Sequence, residues 1–296
     1  MEKARVVVVT GQGVLTSDTT LNEKKLQRMF HTGLSHVFPS EEAGENLIQL
    51  FSEQDRIGIK INTIGGRKLS TRPEVSQALS SLLHAEGREN LIVWDRTNRE
   101  LKEAGYQLNM NRKGLQVYGT DSRELGYDSY LLSHKNIGSL YSSIQSRRIS
   151  ASISLAMLKD HGLAGVTAGM KNYFGAIHNP NKYHDSNCDP YVAELFETEP
   201  IRQKHRLTIL DALIVQYHRG PAYHAQWAAA CGTLIFSTDP VAADRIGWQL
   251  IEKHRAKHGL PSLAEEKREP KYILTAGRLG LGQSNPQNIE VIEYEI

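Results

Sequence analysis

The sequence predicts an α/β fold: a Rossmann-like, mostly parallel sheet flanked by helices, arranged as two lobes with a cleft. Two observations lead there. Within residues 56–105 two short apolar runs, RIGIKIN and NLIVWD, flank a well-marked helical stretch, and a looser alternation of the same kind recurs from residue 207 onward. Strands that alternate with helices pack as parallel sheets under helical layers.

Each element has its own signal. RIGIKIN reads as a buried strand ending near Lys60. Thr71 and Glu74 have capping-box spacing and Pro73 suits a first helical turn, so a helix is expected to open at Thr71. Val75, Ala78, Leu79, Leu82 and Leu83 then repeat at helical intervals, a stripe that packs on a sheet, and Gly87 stops it. NLIVWD is the second strand, parallel to the first. After Asp95, Thr97 and Glu100 repeat the capping box and Gly105 ends a shorter helix. Residues 106–148, rich in Gly, Ser, Tyr and Asn, hold a crossover or a lobe boundary. The division drawn there gives an N-terminal lobe, 1–110, and a C-terminal lobe, 111–296, with one continuous domain as the alternative.

In the second half, apolar runs at 207–215 and 232–236 read as strands. Asp239 and Pro240 open a helix whose stripe is Ala243, Ile246, Gly247, Leu250 and Ile251, closed by Gly259 and Pro261. Tyr272 to Leu274 is expected to form a further strand. The terminal IEVIEYEI reads as an edge strand with its charges outward.

Composition narrows the partners. The 296 residues are 40% hydrophobic and 23% charged, which excludes disordered and fibrous classes. Thirty-five basic against 33 acidic side chains leave +2, too balanced for a chain that works by neutralising nucleic acid or an anionic membrane. The longest uncharged stretch, Pro221 to Thr238, contains His224, Gln226, Gly232 and Ser237, so no membrane span is expected. Cys188 and Cys231 are the only cysteines, which rules out a disulfide framework and leaves no iron–sulfur cluster expected. No signal peptide is visible, since Val6–Val9 is a short run closed by Gly11 and Gly13. The compartment stays open.

Ligands of an open parallel sheet settle beyond the carboxyl ends of its strands. Lys60 and Asn62 follow the first run there, and in the next loop Gly65 and Gly66 allow close backbone approach beside Arg67 and Lys68, a place for a phosphate or carboxylate. Turn geometry is the plainer role for those glycines. Asp95, after the second strand, suits a ribose hydroxyl, a cation or a neighbouring lysine. The densest constellation is Lys159 to Asp185, where Lys159 and His161 alternate at the end of an apolar run and Lys171 and Asn172 sit at a turn. Lysine attracts anions or, desolvated, acts as a base; histidine exchanges protons near neutrality. His178, His184, Asp185 and Cys188 are competent metal ligands, although their spacing fits no zinc pattern. Asp211, inside the apolar LTILDALIV, must be paired, cation-bound or at a strand end. No Walker loop, complete G-x-G-x-x-G, H-E-x-x-H or G-x-S-x-G occurs.

In order along residues 55–290, these motifs resemble a family: IKIN with Lys60 and Asn62, T-x-P-E at Thr71 to Glu74, and the block of Lys159, His161, Gly162, Thr167, Lys171, Asn172 and Gly175. His184, Asp211, the Gly220–Pro221 pair and D-P-V-A-x-D at Asp239 to Asp244 follow. The pattern is similar to that of domain of unknown function 362, found in bacteria and archaea. The resemblance implies no reaction, substrate or cofactor. Some members resemble fusions to ferredoxin-type modules, a role this chain lacks the cysteine cluster to share.

The functional expectation is an enzyme whose cleft binds an anionic, phosphate- or carboxylate-bearing small molecule. Lys159, His161, Lys171 and Asp211 stand as catalytic candidates, and Lys60, Asn62, Gly65, Gly66, Asp95 and Asn172 as ligand- or cofactor-binding ones. The alternative is a metal or cofactor carrier built on the histidine-rich segment 161–185, with His184 as a ligand of a divalent metal. A third possibility is that the polar block only stabilises lobe packing.

Overall fold

Five parallel strands form the central span of the molecule, and their order explains where a ligand can sit. A computed structural model describes residues 3–16, 20–38, 47, 49–111 and 113–296. Its strands are β1 (Ala4–Thr10), β2 (Ile57–Lys60), β3 (Leu91–Asp95), β4 (Gln116–Gly119), β5 (Leu132–His134), β6 (Ile137–Ser139), β7 (Ala151–His161), β8 (Gly165–Thr167), β9 (His205–Gln216), β10 (Ala228–Ser237) and β11 (Ile289–Glu295). Nine of these make one mixed sheet in the order β11-β1-β10-β9-β7-β2-β3-β4, with short β8 folded back on β7; β5 and β6 pair separately as a hairpin. In the main order only β10 runs against its neighbours.

From β2 the chain moves outward through β3 to β4, then crosses back to place β7 on the other flank of β2. Such a reversal parts the loops leaving two adjacent strands and opens a crevice at their carboxyl ends.

Helices cover both faces. On one lie α1 (Glu23–Ser35), α2 (Pro73–Ala85) and α3 (Asn98–Glu103), whose Leu26, Phe30, Val75, Leu79 and Leu101 pack with Ile59, Ile153, Leu155 and Ile209. On the other lie α4 (Tyr191–Glu197), α5 (Glu199–Arg202), α6 (Pro240–Lys257) and α7 (Lys271–Arg278), whose Val192, Ile201, Ile251 and Ile273 meet Trp94, Ala156, Leu158 and Leu210. Residues 153 to 158 of β7 thus feed both cores in alternation, and burial of each large apolar side chain contributes about 1.5–3 kcal/mol.

The predicted β-α-β unit is present, with Ile57 opposite Leu91 in parallel register and the Val75, Leu79, Leu83 stripe buried. Its opening differs. Arg72 is the N-cap, without a side-chain capping bond; Pro73 fixes the first turn one residue later than expected, and the Thr71 hydroxyl instead donates to the Leu155 carbonyl at 3.2 Å. The second box holds, since Thr97 Oγ1 accepts from Glu100 N at 3.2 Å. Tyr272 to Leu274 is not a strand but the first turn of α7, where Tyr272, Ile273 and Ala276 are buried on one helical face; a three-residue apolar run carries no period to separate the two. IEVIEYEI forms the edge strand β11, parallel to β1. The sheet is continuous across the division drawn at residues 110 and 111, with β1 inserted between β10 and β11.

Two buried carboxylates pin the loops around the crevice. Asp160 points away from Lys159 and His161, accepting from Gly220 N at 2.8 Å and pairing with Arg268 at 2.9 Å and Arg255 at 3.6 Å. Gly220 must be glycine, because a Cβ there would lie 1.8 Å from the Asp160 carbonyl oxygen. Asp244 of α6 accepts from Gly169 N at 2.6 Å and Met170 N at 3.0 Å, and so holds the start of the 3-10 segment Lys171–Ala176. Removing that carboxylate leaves two buried N–H groups unpaired. Asp244→Ala is therefore expected to lower unfolding free energy by roughly 2–5 kcal/mol in denaturant titrations; a loss below about 1 kcal/mol would show that the pin is dispensable.

Candidate functional site

The pocket opens where the topology reverses. It holds about 370 Å³ and is lined by the last residues of β2 (Lys60), β3 (Asp95) and β7 (Lys159, His161), together with Asn62, Arg96, Glu100, Thr167 and the 171–184 segment. Ile64, Leu163, Phe174, Pro180 and Pro221 supply its apolar wall. Four of its lining residues are cations, Lys60, Arg96, Lys159 and Lys171; two are carboxylates, Asp95 and Glu100. Two positive charges remain uncompensated.

The floor is a closed network. Lys60, buried under Trp94, gives its ammonium protons to Asp95 Oδ1 at 2.6 Å, the Ile61 carbonyl at 2.7 Å and Asn172 Oδ1 at 3.2 Å. Asp95 accepts in addition from Arg96 N at 2.7 Å, Thr63 N at 2.8 Å and the Thr63 hydroxyl at 2.5 Å. Asn172 returns its amide N–H groups to the Lys60 carbonyl at 2.8 Å and Ser154 Oγ at 3.0 Å. Each donor of the ammonium is used, as are both carboxylate oxygens. Gly175 has to lack a side chain, since a Cβ would come within 2.8 Å of Lys60 Nζ and 3.0 Å of Asp95 Oδ1. Arg96 is engaged by Glu100.

The remaining two lysines are differently placed. Lys159 is fully buried and donates to Asn62 Oδ1 at 3.0 Å and the Leu69 carbonyl at 3.2 Å, two neutral acceptors for three protons. Burial brings its pKa down to about 8, against the opposing pull of Asp95, and Lys171 lowers it further. Lys171, 5% exposed, lies 4.0 Å over the Phe174 ring, and its Nζ is 3.2 Å from His184 Nε2 with the Cys188 thiol beside it. Burial brings this lysine to about 8 too. Neither has a carboxylate of its own.

Hydrogen bonds set both histidine tautomers. His161 Nδ1 accepts from Leu163 N at 3.2 Å and Ala164 N at 3.1 Å, so the neutral ring carries its proton on Nε2. Burial and then the neighbouring Lys171 and His184 hold its pKa down to about 2. His184 Nδ1 lies 3.2 Å from the Pro180 carbonyl, which can only accept; the proton sits there and Nε2 turns a lone pair on Lys171. Burial and the Lys171 charge keep this ring below its ordinary value. The two rings stack at 5.6 Å.

Of the residues singled out from sequence, Lys60, Asn62, Asp95, Lys159, His161, Lys171, Asn172 and His184 all line this pocket. Gly65 and Gly66 do not: a Cβ on Gly65 would sit 2.1 Å from the Leu69 carbonyl and Gly66 has φ +62°, so both serve the turn, and their neighbour Ile64 forms the rim. Asp211 is also elsewhere. It alternates with Ile209 and Leu213 toward α2, accepts from Leu213 N at 3.1 Å, and burial raises its pKa to about 6. His178 is exposed against Tyr127, apart from His161 and His184, so the histidines of the 161–185 segment expected for a metal carrier do not all gather. Among the described residues no three His, Cys, Asp or Glu side chains gather as a metal site. Thr63, Phe174 and Asp244 were not singled out. Thr63 and Phe174 offered no motif, and Asp244 read only as part of a helix opening.

No match is found among curated proteins. A crystal structure of a Thermotoga maritima protein from the Northeast Structural Genomics Consortium aligns with a TM-score of 0.47 at 11% identity, over 80% of this chain and 59% of that one. This chain thus spans less than two thirds of that protein's length. The profile of the family described as Domain of unknown function (DUF362) matches residues 57–249. That span takes in every charged residue lining the pocket and the Asp244 pin behind it, and the chain belongs to the DUF362 family.

Proposed function

We propose that the pocket binds a small anionic molecule through a phosphate or carboxylate group, with Lys159 and Lys171 as the charged contacts and the wall of Ile64, Leu163 and Phe174 against its apolar part. One observation carries this reading: two buried ammonium groups face one pocket without a carboxylate partner. A buried charge is costly unless something pairs with it, and an incoming anion supplies the missing partner. Asn62 orients Lys159, His161 adds a neutral N–H donor, and the saturated Lys60–Asp95–Asn172 floor fixes the geometry. At about 370 Å³ the space suits a small metabolite.

Substitution separates binding from folding. Lys159→Met and Lys171→Met keep the stem and remove the charge, so each is expected to leave the melting temperature of the free protein unchanged or higher. Each is expected to weaken phosphate binding about tenfold or more by titration calorimetry, the worth of one charge-assisted hydrogen bond. If both variants bind like the parent, or the parent binds neither phosphate nor any small carboxylate, the reading fails. Loss of folding in both would support the packing role instead.

The pH dependence follows from the two lysines. Their folded-state pKa of about 8 lies below the ordinary 10.5, so their charge opposes folding below about 8 and that cost fades between 8 and 10.5. Anion binding depends on the same charge. Lys60, Arg96, Asp95, Glu100, His161 and His184 face the pair, and the two histidines are already held neutral. Sulfate keeps its own charge over this range; its affinity is expected to be highest below pH 8 and to fall about tenfold for each lysine discharged above it. Affinity flat from about pH 7 to 10 would contradict this.

A further inference from the structure

We infer that Lys171 is a nucleophile that forms an imine with the carbonyl group of the bound anion, making the ligand class an oxo acid or a phosphorylated aldehyde or ketone. This rests on the anion-binding reading and adds a reaction to it.

The geometry distinguishes the two lysines. Lys159 is held between two carbonyl-type oxygens, Asn62 Oδ1 and the Leu69 carbonyl, which accept protons from an ammonium and keep it as the anion's anchor. Lys171 faces a base. His184 has its proton fixed on Nδ1 by the Pro180 carbonyl, and its Nε2 lone pair lies 3.2 Å from Lys171 Nζ. Nucleophile, base and the group that orients the base are therefore in line, the arrangement by which a lysine amine is made reactive. Burial favours the free amine further, against the opposing pull of the Cys188 thiol. Phe174 beneath the amine and Leu163 and Pro180 in the wall limit the water that hydrolyses an imine. His161 offers Nε2–H to an oxygen that gains negative charge, because its Nδ1 is committed to two backbone amides.

The step balances. Lys171 ammonium gives a proton to His184 Nε2. The free amine attacks the carbonyl carbon; the N–C bond forms and the π electrons move to oxygen, stabilised by His161. A second amine proton passes to that oxygen, giving a carbinolamine. His184 returns its proton to the hydroxyl, the C–O bond breaks, and water leaves. One ammonium and one carbonyl become one protonated imine and one water, with no oxidant or reductant consumed.

Cyanoborohydride reduces such an imine to a stable secondary amine. The native chain is incubated with glyoxylate or with glycolaldehyde phosphate, reduced, and mapped by peptide mass spectrometry. The expected result is adduct concentrated on Lys171, suppressed by excess sulfate, absent in Lys171→Met and slowed roughly tenfold or more in His184→Ala. A carboxylate-bearing ligand labels faster with glyoxylate, a phosphate-bearing one with glycolaldehyde phosphate. Adduct spread evenly over exposed lysines such as Lys68, or unaltered in His184→Ala, overturns the inference. Calorimetry with sulfate on the same sample separates the failures: sulfate binding without a Lys171 adduct removes the imine and keeps the anion site, whereas neither signal removes both.

Discussion

Burial of positive charge at the strand ends is the constraint on which the site depends. Lys60, Lys159 and Lys171 are each at most 5% exposed, and one carboxylate, Asp95, serves the first of them. A protein interior tolerates an ammonium with a full set of acceptors, as at Lys60, far better than one with two neutral acceptors, as at Lys159, or an imidazole and a thiol, as at Lys171. The fold carries that imbalance because the surrounding groups are over-determined. Asn172 bridges β2 and β7, and Gly175 leaves room for Lys60. From the opposite side of the segment, Asp244 ties down the backbone at Gly169 and Met170. Instability stored at one locus and supported by its neighbours is the pattern of a site organised for a ligand.

Topology decides where the imbalance sits. The chain leaves β2 toward β3 and β4 and returns to lay β7 on the other flank, so the loops after β2 and β7 diverge above neighbouring strands. Lys60 and Lys159 end or nearly end those strands, and His161 follows at the same face. Asp160, between them, faces the other way into Arg255 and Arg268. The strand's two-residue period thus puts Lys159 and His161 in the pocket and a structural carboxylate behind it, in three consecutive positions.

Much of this was legible beforehand, for local reasons. The helix stripe after Pro73, the Thr97 box and the alternation of Lys159 with His161 are short-range patterns, and they are read directly from spacing. The misses are long-range or ambiguous. Asp211 lies in a strand apolar on both faces, so nothing in LTILDALIV tells which face its carboxylate joins, and the structure turns it toward α2. Asp244 acts on backbone amides about 75 positions away, a contact without any sequence mark. The Gly65–Gly66 pair looked like a phosphate cradle because turn glycines and ligand-approach glycines are identical in sequence. α1 carries a regular stripe of Leu26, Met29, Phe30 and Leu34, a short-range signal of the same kind.

The central claim is that Lys159 and Lys171 are buried ammonium groups awaiting an anionic partner. Their titration can be followed one residue at a time by NMR of isotope-labelled lysine, with Lys159→Met and Lys171→Met assigning the signals. The account predicts two pKa values near 8 in the free protein, both rising when sulfate is bound. Two values near the ordinary 10.5, unmoved by sulfate, would contradict it.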